Sequence, residues 1–201
     1  AEKIRELRDE MEKEDATVHI LTTLDDIVWL LNIRGDDVPC NPVALSYLAV
    51  TREKLYLFIQ PQALDEDIKA YLAGLQAEVR PYDGIYAYVK ELKNERVLLE
   101  EERVNYAILR SLHASNQILN RLNPTVLAKA VKNPVEIENM KKAHIKDGVV
   151  MARFIRWMKE NAGKIPMDEL SVQEKLDGMR KEAEGSLGLS FDTISAYGSH
   201  G

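Results

Sequence analysis

The side chains best suited to metal binding or nucleophilic chemistry are one cysteine and four scattered histidines: Cys40, His19, His113, His144 and His200. A catalytic metal site in a hydrolase needs imidazole and carboxylate ligands that converge on one point, with a position left open for water. The sequence contains no HExxH motif, no CxxC motif and no closely spaced histidine pair. It therefore supports no catalytic or metal-ligand assignment.

His144 and Asp147 are three residues apart on the apolar stripe of a predicted helix, which places an imidazole beside a carboxylate. Two interpretations are open. The pair could have a functional role, or the two groups could bond to each other where the helix meets the rest of its domain. The second interpretation is favoured, because buried polar groups are usually satisfied by partners.

Cys40 lies between two prolines in the segment DDVPCNP. A nucleophilic thiol needs a nearby base, and the sequence identifies none, so Cys40 is interpreted as a non-catalytic thiol. A single cysteine excludes an intrachain disulfide and fits a reducing compartment, which favours the cytoplasm. Trp29 is interpreted as a core residue rather than a site residue.

Charged residues gather directly after the apolar run WLLNI, where Arg34, Asp36 and Asp37 follow a predicted helix. Ligands often bind at such transitions from helix to loop. Asp side chains in loops also commonly bond the local backbone, so both interpretations remain open. The glycines at 185, 188 and 198 fit no phosphate-binding motif and are interpreted as turn residues.

Composition excludes several classes of partner. The chain has 201 residues, a formal net charge of −6 and 45% hydrophobic residues, as expected of an ordinary globular protein. Net negative charge without a basic cluster argues against binding to nucleic acid or to anionic membranes. No apolar run is long enough to span a bilayer, and the charged amino-terminal stretch predicts a surface helix rather than a signal peptide.

Alternating helix and strand patterns predict a mixed α/β domain over residues 1–133, ending where the composition changes after Pro124. Pro124 itself is read as interrupting a short amphipathic run. A second segment, 134–201, begins with a long helix, for which Asn133, Pro134 and Glu136 form a start signal with a capping box. That helix carries one continuous stripe of side chains: Ile137, Met140, His144, Asp147, Met151, Phe154 and Met158. A further helix from about residue 167 and a strand over 188–198 complete the predicted elements.

Three motifs resemble the three-domain aminopeptidase P family of the creatinase and prolidase superfamily. Residues 24–43, LDDIVWLLNIRGDDVPCNPV, resemble the opening of that family's second domain. Residues 132–158, KNPVEIENMKKAHIKDGVVMARFIRWM, are similar to the first helix of its catalytic domain, and residues 188–198, GLSFDTISAYG, to its first strand. Together these motifs cover most of the chain.

The resemblance implies a creatinase-type second domain over 1–133 and the start of a pita-bread metallopeptidase domain over 134–201. It implies a cytoplasmic homodimeric hydrolase that releases an amino-terminal residue preceding proline from peptides, using two divalent metals, usually manganese. The family's ligands, two Asp, one His and two Glu, would all follow residue 201, so His200 receives no role. The fragment is therefore expected to be inactive alone and to lack a preceding first domain.

The resemblance also suggests a substrate-facing loop. Asn32, Arg34, Asp37 and Asn41 are predicted to face the active-site cleft and to limit substrate length. Cys40 stands where a larger side chain is expected in this family, which weakens that assignment.

Two alternatives to a peptidase fragment remain. The chain could belong to a pita-bread binding module without metals, as in some histone chaperones, because fold does not fix function. It could also be an interaction domain that assembles through the 134–161 helix. Since a catalytic domain cut after one strand leaves apolar side chains without partners, Phe191 and Ile194 are expected to be poorly covered.

Overall fold

The computed structural model describes residues 1–201 and divides into two compact units. The first unit comprises residues 1–38 and 42–131, and the second comprises residues 39–41 and 132–201. None of the eight α-helices combines the length and the apolar character that a membrane span requires.

A six-stranded mixed sheet forms the centre of the first unit, in the order β4-β3-β2-β1-β5-β6. Its strands are β1 (Val18–Leu21), β2 (Ser46–Thr51), β3 (Leu55–Ile59), β4 (Ala77–Arg80), β5 (Arg96–Leu99) and β6 (Gln117–Asn120). Antiparallel pairing joins β1 to β2 and β2 to β3. Parallel pairing joins β1 to β5, β3 to β4 and β5 to β6.

Six α-helices surround this sheet: α1 (Glu2–Lys13), α2 (Leu24–Leu31), α3 (Glu66–Gly74), α4 (Gly84–Glu91), α5 (Tyr106–Ser111) and α6 (Pro124–Ala130). A 3₁₀ turn covers Pro61–Ala63. Alternate strand residues point to opposite faces, so Leu98 joins the core beneath α1, α2 and α3, while Val97 and Leu99 join the core beneath α4 and α5. The unit is therefore a three-layer sandwich of helices, sheet and helices.

Sequence patterns predicted the mixed α/β class, and the structure confirms it. The predicted helices at α1 to α4 and the strands at β1 to β5 form at the expected positions. The short elements α5 and β6 were not predicted, because four to six residues carry too little periodicity to be recognised. Pro124 does not interrupt a helix: it begins α6, at a position where its missing N–H costs no hydrogen bond.

The second unit consists of α7 (Pro134–Asn161), α8 (Glu169–Lys181) and a terminal 3₁₀ turn over Gly198–His200. The predicted capping box is confirmed, because the Asn133 side chain accepts from the Glu136 N–H and the Glu136 carboxylate accepts from the Asn133 N–H. Two ion contacts join α7 to α8, from Arg180 Nε and Nη2 to the Asp147 carboxylate at 2.9 and 3.3 Å. Val150 of α7 and Leu176 of α8 are the buried apolar side chains of this unit.

The strand predicted over residues 188–198 is wrong. Most of the segment has no regular secondary structure, with bends at Ser190 and Phe191. It is held to α8 by a 2.6 Å hydrogen bond from the Thr193 hydroxyl to Asp177 and a 2.7 Å bond from the Tyr197 N–H to Glu169. A single strand is not stable without a neighbour to satisfy its backbone groups, and the second unit contains no other strand. The expectation that Phe191 and Ile194 are poorly covered is confirmed, since both are exposed.

His19 is a fully buried histidine on the central strand β1. Its Nδ1 lies 2.9 Å from the Leu98 carbonyl oxygen on β5, and because a carbonyl only accepts, Nδ1 carries the proton. Burial lowers the pKa of His19 to about 4, although the hydrogen bond to Leu98 and the nearby Asp26 carboxylate act in the opposite direction. The imidazole is therefore neutral in the folded protein at neutral pH.

We expect His19 to make the stability of the first unit depend on pH. The unfolded chain binds a proton near pH 6.5 and the folded chain only near pH 4, so stability is complete above 6.5 and falls as the pH drops towards 4. A shift of this size corresponds to a loss of about 3 kcal/mol over that window. Urea unfolding at several pH values should show this slope, and His19→Gln should flatten it. The exposed His113→Gln variant is the control; an unchanged slope in His19→Gln would contradict the assignment.

Candidate functional site

The segment from Asn32 to Leu45 connects α2 to β2 and contains the predicted site residues. Asn32 ends α2 in the left-handed conformation, with φ 54° and ψ 43°. Its N–H donates to the Trp29 carbonyl at 3.3 Å, and the Ile33 N–H donates to the Val28 carbonyl at 3.0 Å. This pair of bonds is a Schellman motif, in which Asn is one of the few residues other than glycine that adopt the required φ. Asn32 therefore has a backbone role whether or not it contacts a ligand.

Gly35 is the point of closest backbone approach in this loop. A Cβ added at Gly35 would lie 2.8 Å from Ala44 Cβ and 2.9 Å from the Val43 carbonyl oxygen. The Gly35 N–H also donates to the Pro42 carbonyl at 3.4 Å. The outgoing and returning halves of the loop can therefore pack together only because residue 35 has no side chain.

Asp37 fastens the same two halves. Its Oδ2 accepts from the Leu45 N–H at 2.7 Å, and its own N–H donates to the Val43 carbonyl at 3.2 Å. Arg34 is exposed and makes no hydrogen bond or ion pair. Two interpretations were left open for the charged cluster, namely hydrogen bonding to the local backbone and ligand binding. Asp37 bonds the local backbone, while Arg34 is available for an external ligand.

Asn41 is exposed and groups with the second unit, whereas Asn32, Arg34 and Asp37 lie in the first. Its neighbour Cys40 is a free, half-buried thiol with φ 59°. Position i+2 of a type II turn requires positive φ and commonly follows a proline, as Cys40 follows Pro39. Cys40 therefore occupies a turn position, in a conformation that glycine or asparagine adopts more readily than a residue such as cysteine.

The interpretation of His144 and Asp147 as a bonded pair is wrong. His144 is exposed, and its Nδ1 lies 2.9 Å from the Met140 carbonyl one turn earlier, while Asp147 pairs with Arg180 of α8. Their spacing places the two side chains on the same face of the helix, but each bonds to another residue instead of to the other. Trp29 packs half-buried against the core, as interpreted.

Polar groups of α2 and α6 form a cluster around the buried Asp26 that the sequence did not reveal. Lys129 of α6 contacts Asp25 and approaches Asp26 Oδ1 at 2.8 Å, and the Thr23 hydroxyl donates to Asp26 Oδ2 at 2.5 Å. Burial tends to lower the pKa of Lys129, but the hydrogen bonds with Asp25 and Asp26 outweigh it and raise the pKa. Lys129 therefore stays charged and fixes α6 to the start of α2. No local sequence pattern predicts this pairing, because Lys129 and Asp25 are more than 100 positions apart.

No group of three or more His, Cys, Asp or Glu side chains is arranged to hold a metal ion. The nearest approach to such chemistry in the second unit is His200, whose Nδ1 lies 3.0 Å from both carboxylate oxygens of Glu169.

Residues 1–136 match the family described as the Creatinase/Prolidase N-terminal domain. Xaa-Pro aminopeptidase 1 of Dictyostelium discoideum is 38% identical over 205 residues, which cover 100% of this chain and 32% of that protein. The probable Xaa-Pro aminopeptidase P of Pyrenophora tritici-repentis is 36% identical over 212 residues, which cover 99% of this chain and 36% of that protein. The chain thus spans about a third of the length of these relatives.

A solved structure is similar to this chain over a comparable share of its length. The X-prolyl aminopeptidase of Caenorhabditis elegans, described as a cytosolic enzyme with a di-nuclear active site, matches with a TM-score of 0.89 and 32% identity. The match covers 97% of this chain and 33% of that one. Xaa-Pro dipeptidase from Bacillus anthracis, with a TM-score of 0.66 and 17% identity over 92% of this chain and 50% of that chain, shares the fold.

We expect Gly35→Ala to destabilise the first unit by roughly 1–3 kcal/mol, because the new methyl group overlaps Ala44 and the Val43 carbonyl. Gly74→Ala is the matched control. Gly74 ends α3 with nothing within 4 Å of an added Cβ, so the same substitution should be neutral or stabilising by up to about 1 kcal/mol. Chemical denaturation of both variants measures the contrast, and equal stability of the two would refute the close-approach argument.

Proposed function

The chain belongs to the Creatinase/Prolidase N-terminal domain family, and on that premise we propose that it is part of a metal-dependent Xaa-Pro aminopeptidase. The complete protein would hydrolyse the bond between an amino-terminal residue and a following proline. The observation that carries this proposal is identity of 38% to a protein named Xaa-Pro aminopeptidase 1 along the whole chain. Because the chain spans a third of that relative, the activity is assigned to the complete protein and not to this segment.

We further propose that residues 1–133 are the creatinase-like second domain and residues 134–201 the start of the pita-bread metallopeptidase domain. The family match, which ends at residue 136, supports this boundary. A cytoplasmic location and a homodimeric complete enzyme are part of the same proposal. The description of the Caenorhabditis elegans relative as cytosolic supports the location.

The metals are proposed for the complete protein only. The Caenorhabditis elegans relative is described as having a di-nuclear active site, which supports two divalent ions, for which we propose manganese. The residues of this chain do not fit such a centre, because their imidazoles and carboxylates form no cluster of three. No step of the reaction is therefore assigned to residues 1–201.

The α2–β2 loop is proposed to face the substrate cleft of the complete enzyme. Two features support this role: the two halves of the loop are joined to each other, and the loop carries the exposed guanidinium of Arg34. Close packing at Gly35 and the hydrogen bond of Asp37 join the two halves of the loop, and Arg34 is exposed on it without an internal partner. A guanidinium can pair with a carboxylate through two hydrogen bonds. We propose that Arg34 contacts the substrate beyond the proline, with Asn32, Asp37 and Asn41 shaping the loop.

The first test is activity. The complete protein should release the first residue from a peptide with proline second, should not act on the same peptide with alanine second, and should lose activity with a chelator and recover it with manganese. The 201-residue chain alone should be inactive under all these conditions. Failure of the folded, metal-loaded complete protein to cleave would refute the peptidase proposal and favour the binding module.

The second test concerns the loop. In the complete enzyme, Arg34→Ala should raise KM for longer peptides several-fold and change KM for a dipeptide little, because a dipeptide has no residues beyond proline. Asp37→Asn keeps an oxygen that can accept from Leu45 and should preserve folding. Arg52→Ala, at the exposed β2–β3 turn, is the matched control. An Arg34→Ala enzyme with unchanged kinetics across peptide lengths would remove the loop from the substrate site.

A further inference from the structure

A groove of about 490 Å³ lies within the first unit, between α1 and the segment that contains α6. Trp29 and Leu30 at the end of α2 form part of its lining, and Leu98 of β5 contributes from the sheet. A volume of this size falls in the range of ligand-binding clefts in proteins. All of its lining residues belong to the same compact unit.

One wall of the groove is apolar and open to solvent. Leu122, Leu127 and Val131 line it, and the last two side chains are each 69% exposed. Leu127 and Val131 are four residues apart, which places them on one side of the chain at the end of α6. Clustered exposed apolar side chains beside a concave surface mark interaction sites more often than single ones do.

The opposite wall is acidic. Glu6 and Glu10 of α1 and Glu14, which follows its last residue, line the groove at intervals of four residues, which places them in one row. Glu14 is paired with Arg121 at 3.5 Å, and Glu10 contacts the exposed Lys13. Glu6 makes no ion pair. The row therefore presents carboxylates that are only partly neutralised.

The two cations that line the groove are already engaged. Lys3 Nζ donates to the Trp29 carbonyl at 2.9 Å and lies 4.1 Å from the centre of the Trp29 ring. Arg121 contacts Glu14 and donates to the Asn120 carbonyl at 2.9 Å. Neither cation neutralises Glu6, so the charge left over in the groove is negative.

Two further polar groups in the lining lack partners. Asn123 is 3% exposed and Thr125 is 1% exposed, and neither Asn123 Oδ1 nor Thr125 Oγ1 has a hydrogen-bond partner. A buried polar atom without a partner is costly. Both atoms are shielded from solvent, so they lie beneath the groove surface and are not contact points for a ligand.

We propose that this groove docks a cationic amphipathic helical segment of a partner protein, with its apolar side on Leu122, Leu127 and Val131 and its lysine or arginine side chains towards Glu6 and Glu10. The groove offers apolar surface, the unpaired Glu6 carboxylate and the exposed Glu10 carboxylate, which is shared with Lys13, and such a segment supplies the complement of each. A helix laid into a groove between helices is a recurrent mode of peptide recognition. The inference is independent of the proposed peptidase activity.

Trp29 provides a direct probe of the groove. The chain has two tryptophans, so a Trp157→Phe variant leaves Trp29 as the reporter. A short amphipathic peptide of leucine and lysine at helical spacing should change the Trp29 emission saturably. A peptide with glutamate in place of every lysine should bind at least tenfold more weakly. Equal affinity of the two peptides, or no change in emission, would overturn the proposal.

Substitutions in the groove should show how much the apolar wall and the acidic wall each contribute to peptide binding. Leu127→Asp should lower the affinity for the lysine peptide by roughly tenfold or more. Glu6→Gln combined with Glu10→Gln should lower it by roughly fivefold, as for two partly exposed ion pairs. The matched controls lie outside the groove on the same helices: Val126→Asp for α6, and Asp9→Asn with Glu12→Gln for α1. Controls that weaken binding as much as the groove variants do would refute the site.

The same variants also test two other occupants of the groove, a small cation and a second copy of this chain. If spermidine displaces the lysine peptide at matched charge concentration, the groove binds small cations and the peptide proposal fails. If sedimentation shows a dimer of the chain that Leu127→Asp dissociates and Val126→Asp does not, the occupant is a second copy and the proposal also fails. A monomeric chain that binds the lysine peptide and ignores spermidine supports it.

Discussion

The central strand β1 is the constraint on which the first unit depends. It pairs antiparallel with β2 on one side and parallel with β5 on the other, so it alone joins the β4-β3-β2 half of the sheet to the β5-β6 half. All four of its side chains are buried. A polar residue at its centre, His19, is tolerated because the Leu98 carbonyl of β5 accepts its Nδ1 proton and because the ring stays neutral.

The position of β1 also decides where the candidate site lies. The chain leaves β1, turns through Thr22 and Thr23, and runs as α2 to Asn32, from which the loop with Arg34 and Asp37 projects. Lys129 of α6 anchors the start of α2 through Asp25 and Asp26. Asp26 is the buried member of this cluster, and the Lys129 ammonium compensates its charge. The α2–β2 loop therefore starts from a helix that is fixed at one end by β1 and by Lys129 of α6, and the same helix supplies Trp29 and Leu30 to the groove.

The second unit is held differently. Its two long helices pack with few buried side chains, chiefly Val150 and Leu176, and are joined by Arg180 and Asp147. Apolar side chains such as Ile145, Leu187 and Ile194 are exposed. The segment 188–198 has no neighbouring strand, and two hydrogen bonds join it to α8, from the Thr193 hydroxyl to Asp177 and from the Tyr197 N–H to Glu169. Strong β composition does not produce a strand where no sheet edge is present to receive it.

The sequence by itself determined the elements with long periodicity, the mixed α/β class and the start of α7, since the signals for these are local: spacing of apolar residues, Asn133 as a cap and Pro134 after it. It also determined the family, through motifs that run along the chain. Only the tertiary structure decided which polar groups meet. His144 and Asp147 are adjacent on one helix face yet bind elsewhere, whereas Lys129 meets Asp25 across a hundred residues. Hydrogen bonds and ion pairs form between groups that packing brings together, and sequence spacing constrains that packing only within a single element.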